Sequence, residues 1–155
     1  MEQEDTIVVP AWLGPNKLYV TAKGRAYTFG LFALTPNRVM FASDDEMLID
    51  ELREDSVFEW PRLLSGTGCR LRTPAGAWII TFGRPFPDAP APDRDRIEGA
   101  AGVLEALHNT AENLSDLAGL SVGVIGDLVL LAQSMSDIKK GRRTAHVVKA
   151  ALAQG

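Results

Sequence analysis

The chain has very little cysteine and no strong charge of either sign, and these two scarcities exclude several classes of protein. Cys69 is the single cysteine, so neither an intramolecular disulfide nor a multi-cysteine metal cluster can form within the chain. The net charge of −4 gives no global positive field that would attract nucleic acid. The segment Met1-Glu2-Gln3-Glu4-Asp5 is acidic, unlike the basic start of a secretory signal, so we expect a cytoplasmic protein.

Aromatic residues are absent from the last part of the chain, and this absence divides it in two. All 3 Trp, 2 Tyr and 6 Phe residues lie before residue 90, whereas the remainder is rich in Ala and Leu. Aromatic side chains favour strands, and Ala and Leu favour helices. Four prolines between residues 85 and 92 disfavour both strands and helices. This stretch is therefore predicted to connect a β-rich domain (1–92) to a helical part.

About seven short strands are predicted in the first part. They are expected at residues 6–9, 18–21, 26–34, 38–42, 57–60, 69–73 and 77–82, and residues 47–52 fit either a strand or a helical turn. Two pairs form hairpins: Pro36 and Asn37 supply the turn of the first, and Pro74 to Gly76 supply that of the second. In the second hairpin Cys69 and Leu71 alternate with Arg70 and Arg72, which predicts one face on a core and one in water.

A helix is predicted from Asp93 to residue 115. Its apolar side chains recur every three or four residues and form one stripe: Ile97, Ala101, Leu104, Leu107, Ala111 and Leu114. Asp93 is suited to cap its N-terminus, because its carboxylate can accept a bond from an unpaired backbone N–H.

The helical extension, residues 116–155, contains an almost wholly apolar segment at 117–135. Three interpretations remain open for it: a helix buried in the protein or an oligomer, a helix that contacts a membrane surface, and a membrane span. Asp127 argues against a span, since a central carboxylate costs roughly 2.5–3.5 kcal/mol on insertion scales. The interaction residues predicted for assembly are Leu117, Leu120, Val124, Leu128 and Leu131.

One basic cluster follows the apolar segment, before a last short helix predicted at 145–153. It consists of Lys139, Lys140, Arg142 and Arg143. At an anionic lipid surface each charge contributes roughly 1 kcal/mol. The cluster is therefore either an anionic-lipid contact or a solvated charge run that ends a helix.

The residues that could carry chemistry do not combine into a catalytic or metal site. Gly119 to Gly123 fits the G-x-S-x-G pattern around Ser121, with Asp127 or Asp137 and His146 downstream, but the helical residues before it cannot supply the strand that this motif requires. His108 and His146 have no ligand partner at metal spacing and are expected to be structural. Cys69 is expected to be a small buried apolar group. We expect no cofactor, no metal and no catalytic residue.

The first hairpin also carries a resemblance to a known family. Its sequence, Gly-Leu-Phe-Ala-Leu-Thr-Pro-Asn-Arg-Val-Met-Phe at residues 30–41, resembles a segment of bacterial PH-like and GRAM domains. The resemblance covers about residues 8–112 and implies two nearly orthogonal sheets closed by a helix at 97–114. Such domains bind phosphoinositides, peptides or proteins. Their lipid-binding members carry a basic cluster between the first two strands, where this chain has only Lys17, Lys23 and Arg25.

Together these patterns predict an α+β protein. We expect a PH-like small β-sandwich or partly open barrel of about seven antiparallel strands, capped by the helix at 93–115 and followed by the helical extension. The predicted function is a non-enzymatic binding or adaptor module that acts through protein–protein assembly, with self-association into a homo-oligomer through the helical tail. The alternative is peripheral binding to anionic lipid through the apolar helix and the basic cluster, and a small serine hydrolase using Ser121 is a remote one. Neither a nucleic acid partner nor a small-molecule substrate is expected.

Overall fold

Seven β-strands and two α-helices form the regular structure of the described chain. The computed structural model describes residues 7–15, 27–61, 66–83, 85, 90, 93–110 and 138–154. The strands are β1 (Ile7–Pro15), β2 (Thr28–Leu34), β3 (Arg38–Ala42), β4 (Met47–Leu52), β5 (Val57–Glu59), β6 (Gly68–Thr73) and β7 (Gly76–Thr81). A 3-10 helix (Arg53–Asp55) connects β4 to β5, and the α-helices are α1 (Arg94–Thr110) and α2 (Ile138–Gln154).

The strands form one antiparallel sheet in the order β4-β3-β2-β1-β7-β6-β5. β1 lies at its centre and pairs with β2 from Ile7 to Leu13 and with β7 from Trp12 to Pro15. The sheet is curved, as the contact between two of its distant strands shows. Phe32 of β2 and Phe58 of the edge strand β5 are not on neighbouring strands, yet their ring centroids lie 6.3 Å apart. The predicted α+β class with a partly open sheet of seven antiparallel strands is confirmed.

Both predicted hairpins are present. In the β2–β3 turn the backbone N–H of Thr35 donates to the Arg38 carbonyl at 3.0 Å, and the Thr35 hydroxyl accepts from the Arg38 N–H at 2.9 Å. Pro36 and Asn37 occupy the two central positions, as the turn chemistry predicts. In β6, Cys69 and Leu71 are fully buried and Arg72 is exposed, as predicted, whereas Arg70 is partly buried instead of fully in water.

Several strand boundaries differ from the prediction. β1 continues to Pro15 instead of ending at Val9, because tertiary pairing with β2 and β7 overrides the breakers Pro10 and Gly14. Residues 47–52 form a strand, followed directly by the 3-10 helix. The strand predicted at 18–21 lies outside the described residues.

α1 covers one side of the sheet and packs against β2 and β3. Its buried stripe consists of Ile97, Ala100, Ala101 and Leu104. Asp93 caps its N-terminus as predicted, because a carboxylate oxygen accepts the Arg96 N–H at 2.9 Å. The Trp12 indole Nε1 donates to the Pro90 carbonyl at 2.9 Å and ties the connector to the sheet.

α2 begins at Ile138, earlier than the predicted start at Ala145. The basic residues 139–143 are therefore part of the helix and do not end one, in keeping with the good helix propensity of Lys and Arg. Ala145 and Val148 join the same hydrophobic cluster as the sheet. The predicted apolar helix at 117–135 lies outside the described residues.

Candidate functional site

A cleft of about 330 Å³ lies between α2 and the segments on either side of the β5–β6 connection. One wall belongs to the sheet and the other to the helix. The residues that line it are Trp60, Pro61, Gly66, Gly68, Arg142, Ala145, His146 and Lys149. This cleft is the candidate functional site, because it joins basic side chains to an aromatic ring.

The amphipathic sequence of α2 determines which side chains line the helix wall. Its small and apolar residues at Gly141, Thr144, Ala145 and Val148 are buried at helical spacing. Burying that stripe exposes the opposite face, which carries Arg142, Arg143, His146, Val147 and Lys149. The exposed face is therefore basic, and it also carries the exposed apolar side chain of Val147.

Close backbone contact holds the start of α2 against the end of β7. A Cβ atom placed on Gly141 would lie 3.2 Å from the Cα of Gly83, closer than about nine in ten real Cβ contacts. The absence of a side chain at Gly141 thus permits this approach. Further along, a Cβ on Gly66 would lie 3.7 Å from Cγ of Arg142, so the Arg142 side chain lies along that part of the sheet wall.

The two walls meet where Lys149 reaches Trp60. The Nζ atom of Lys149 lies 5.6 Å from the centroid of the Trp60 ring, within the range of a cation–π contact. Trp60 is half-buried, and its ring packs against the edge of the hydrophobic core. This contact places an ammonium group and an indole face together at the cleft.

Charge is strongly segregated along the chain. α2 contains five of the 16 Lys and Arg residues and none of the 20 Asp and Glu residues. None of the described residues that line the cleft is acidic. The carboxylate nearest in sequence to Trp60 is that of Glu59, which accepts hydrogen bonds from Arg70 at 3.1 Å and Arg72 at 3.3 Å. These bonds hold the pKa of Glu59 below its usual value, so its charge is compensated within the sheet.

Neither a metal-ligand cluster nor a reactive thiol is found among the described residues. No group of three or more His, Cys, Asp or Glu residues is placed to hold a metal ion in the described ranges. Cys69 is buried, as predicted, and burial raises the pKa of its thiol to about 12, which makes it a poor nucleophile. Ser121, Asp127 and Asp137 lie outside the described residues, and His146 lines the cleft.

The structure places only part of the predicted interaction residues. Arg142 and Arg143 are exposed on α2, and Arg142 lines the cleft. Lys139 and Lys140 belong to the first turn of the helix, but their side chains lie outside the described part. The five apolar positions predicted for assembly all lie outside it too: Leu117, Leu120, Val124, Leu128 and Leu131.

Sequence reasoning missed three residues of the cleft, Trp60, His146 and Lys149. His146, expected to be structural, is exposed and faces the cleft. The spacing of Arg142, His146 and Lys149, four and then three residues apart, is a sequence signal for one side of a helix. Trp60 has no such signal, because only the docking of α2 brings it to them.

Within the described ranges, neither α1 nor α2 is long and apolar enough to span a bilayer. The chain was also compared with protein-family models, curated protein sequences and solved structures, and none of the three comparisons gives a match.

Proposed function

We propose that the protein is a non-enzymatic binding module that docks on an anionic membrane surface through the exposed face of α2. The observation that carries this proposal is the segregation of charge on a helix whose other face is fixed to the sheet. Arg142, Arg143 and Lys149 project from one rigid surface, and each basic charge near an anionic bilayer contributes roughly 1 kcal/mol.

Apolar and aromatic groups beside these charges favour a membrane over a purely polar partner. Val147 is 48% exposed among the basic side chains of α2. The half-buried Trp60 lies under the ammonium group of Lys149. Basic residues interspersed with apolar and indole side chains are typical of helices that lie in the bilayer interface.

Flotation with vesicles tests the proposal. The protein is expected to float with vesicles of phosphatidylcholine and phosphatidylglycerol, to stay behind with phosphatidylcholine alone, and to be released by salt. Arg143→Gln should weaken binding roughly fivefold, since it removes one charge near the surface. Arg94→Gln removes the same charge from α1 and is the matched control, expected to bind as the unmodified chain does.

Equal binding to neutral and anionic vesicles, or equal losses in the two variants, would contradict the proposal. Salt-sensitive binding to RNA or to an acidic protein with no vesicle binding would contradict it as well, because it would assign the basic face to another class of partner.

The resemblance to PH-like and GRAM domains is also proposed for residues 8–112. Support comes from the seven-strand antiparallel sheet and from α1, which packs against β2 and β3. The bounds of α1, Arg94–Thr110, are close to those expected for the closing helix, 97–114. Residual dipolar couplings in solution that place β1–β4 and β5–β7 at a steep angle to each other would support the assignment. Two sheets aligned within about 30° would instead describe an ordinary aligned sandwich.

Self-association through the helical tail stays a prediction, since its five apolar residues lie outside the described ranges. Light scattering of the full chain in solution tests it. A monomer whose mass and solubility are unchanged by Leu128→Asp would contradict it.

A further inference from the structure

The cleft beside Trp60 differs from the rest of the basic face because it is concave and has two chemically different walls. The sheet wall supplies the indole ring together with Pro61 and two glycines, and the helix wall supplies three nitrogen-bearing side chains. Its volume of about 330 Å³ lies at the lower end of the range for small-molecule sites. A lipid head group or a small metabolite fits a volume of this size.

The helix wall presents three side chains that can each donate to an anion. Arg142, His146 and Lys149 follow one another along one side of α2 and all line the cleft. A guanidinium can donate two parallel bonds to a phosphate, and an ammonium adds a compact point charge. The imidazole of His146 adds a further N–H donor.

The electrostatics favour a doubly charged group over a singly charged one. The Coulomb energy of a fixed set of cations scales with the charge of the anion placed among them. A phosphomonoester carries a charge of about −1.5 to −2 at neutral pH, whereas a carboxylate or a phosphodiester carries one. No acidic side chain among the described lining residues opposes such an anion.

We propose that this cleft binds a phosphomonoester group, with Arg142, His146 and Lys149 on the phosphate and the adjoining part of the ligand against Trp60. The inference goes beyond the proposed membrane docking, because a soluble phosphomonoester would bind here without a bilayer. Where the ligand is a lipid, the inference names the head group that the proposed function leaves open.

Two measurements on the full chain distinguish the sources of the phosphate. The first is calorimetric titration with glycerol 3-phosphate and, as a singly charged comparison, with its methyl diester. The second compares vesicles containing phosphatidic acid, a phosphomonoester lipid, with phosphatidylglycerol vesicles of equal surface charge. We expect saturable binding of the monoester, a preference for phosphatidic acid, or both.

Variants assign the binding to the cleft. Lys149→Gln should weaken monoester binding by roughly tenfold or more, the value of one charge-assisted hydrogen bond. Arg94→Gln removes the same charge from α1, away from the cleft and from the basic face of α2, and should change that binding less than twofold. His146→Gln is a second cleft variant if Lys149→Gln fails to fold, as judged by circular dichroism.

The outcomes separate this inference from the membrane proposal. Monoester binding without any vesicle binding supports the cleft and contradicts membrane docking, and phosphatidic acid preference without soluble binding supports a lipid source. No saturable monoester binding together with equal binding to the two anionic lipids would overturn the inference. Equal losses of monoester binding in Lys149→Gln and Arg94→Gln would overturn it as well.

Discussion

Arg53 and Ala151 join the turn between the two edge strands to the last turns of α2. Nη2 of Arg53 donates to the Ala151 carbonyl at 2.9 Å, and Nη1 of the same guanidinium donates to the Thr35 carbonyl at 3.0 Å. Ala151 lies among the final residues of the helix, whose carbonyls have no partner within it and favour a positive charge. One side chain thus connects α2, the 3-10 helix and the β2–β3 turn.

Replacing Arg53 should loosen α2 from the sheet. Arg53→Met keeps most of the aliphatic stem but removes both donors, so we expect a loss of about 1.5–3 kcal/mol in the free energy of unfolding. Urea unfolding measures this loss, and amide hydrogen exchange should accelerate in α2 before it does in β2. Arg94→Met, at an exposed i,i+4 ion pair with Glu98, is the control and should change stability by less than about 1 kcal/mol.

Two glycines of α1 should respond oppositely to the same substitution. A Cβ on Gly99 would lie 2.7 Å from Cβ of Asp44, whereas a Cβ on Gly102 would meet nothing within 4 Å. Gly102→Ala should therefore stabilise the protein by roughly 0.5–1 kcal/mol through helix propensity. Gly99→Ala should gain no such benefit and should destabilise, because α1 must move away from the β3–β4 turn.

Thermal unfolding of both alanine variants tests this difference. Equal shifts in Tm would mean that α1 does not approach Asp44 as closely as the structure shows. Glycine is needed at position 99 for packing, so its role cannot be replaced by a better helix former.

Cys69 should be unreactive in the folded protein and should make stability fall at high pH. Burial raises the pKa of its thiol from 9.0 to about 12, so the unfolded chain ionises first as the pH rises. The stability that depends on the neutral, buried thiol is fully present below pH 9 and is lost between pH 9 and about 12. Labelling by a thiol reagent should be slow until denaturant is added, and Cys69→Ala should remove this share of the alkaline loss.

Rapid labelling of the native chain would show that the thiol is accessible. The single cysteine makes the assay unambiguous, since every label reports the same position.

Glu59 should make the stability of the protein depend on pH in the acidic range. Hydrogen bonds from Arg70 and Arg72 lower the pKa of its carboxyl below the usual 4.5, so its contribution is present above that value. It is lost as the pH falls below 4.5 through the lowered folded value. Unfolding of Glu59→Gln should depend less steeply on pH in this range, whereas Glu54→Gln, in the exposed 3-10 helix, should follow the unmodified protein.

The two hairpins could be predicted from the sequence because their signals are local. Pro36 and Asn37 define one turn, and the alternation of Cys69 to Arg72 defines which face of β6 is buried. β1 could not be predicted in full, since Pro10 and Gly14 are local breakers. The strand nevertheless continues through Pro10. Among the described residues this part of β1 pairs with β2 alone, and a missing N–H is tolerated on the side without a partner strand.

The candidate site could be predicted only in part, because contacts between distant segments leave no local signal in the sequence. The basic character of Arg142 and Arg143 is visible in the sequence, and so is the helical spacing to Lys149. The contact between Lys149 and Trp60 is not, because it exists only once α2 docks on the sheet. Periodicity along a chain reports which face of a helix is apolar and does not report which neighbour that face will meet.

The pairing of β1 with β7 has a consequence for how the chain reaches its native state. Trp12 opposes Thr81, so the centre of the sheet is completed by segments that lie far apart in the sequence. The hairpins can form from neighbouring residues, but β1 gains its second partner only when the distant strand β7 has reached it. Folds dominated by such distant pairings close over roughly milliseconds to seconds, far slower than helical bundles. During that interval the nascent chain exposes the apolar side chains of β1, and chaperone binding or aggregation competes with folding at this strand.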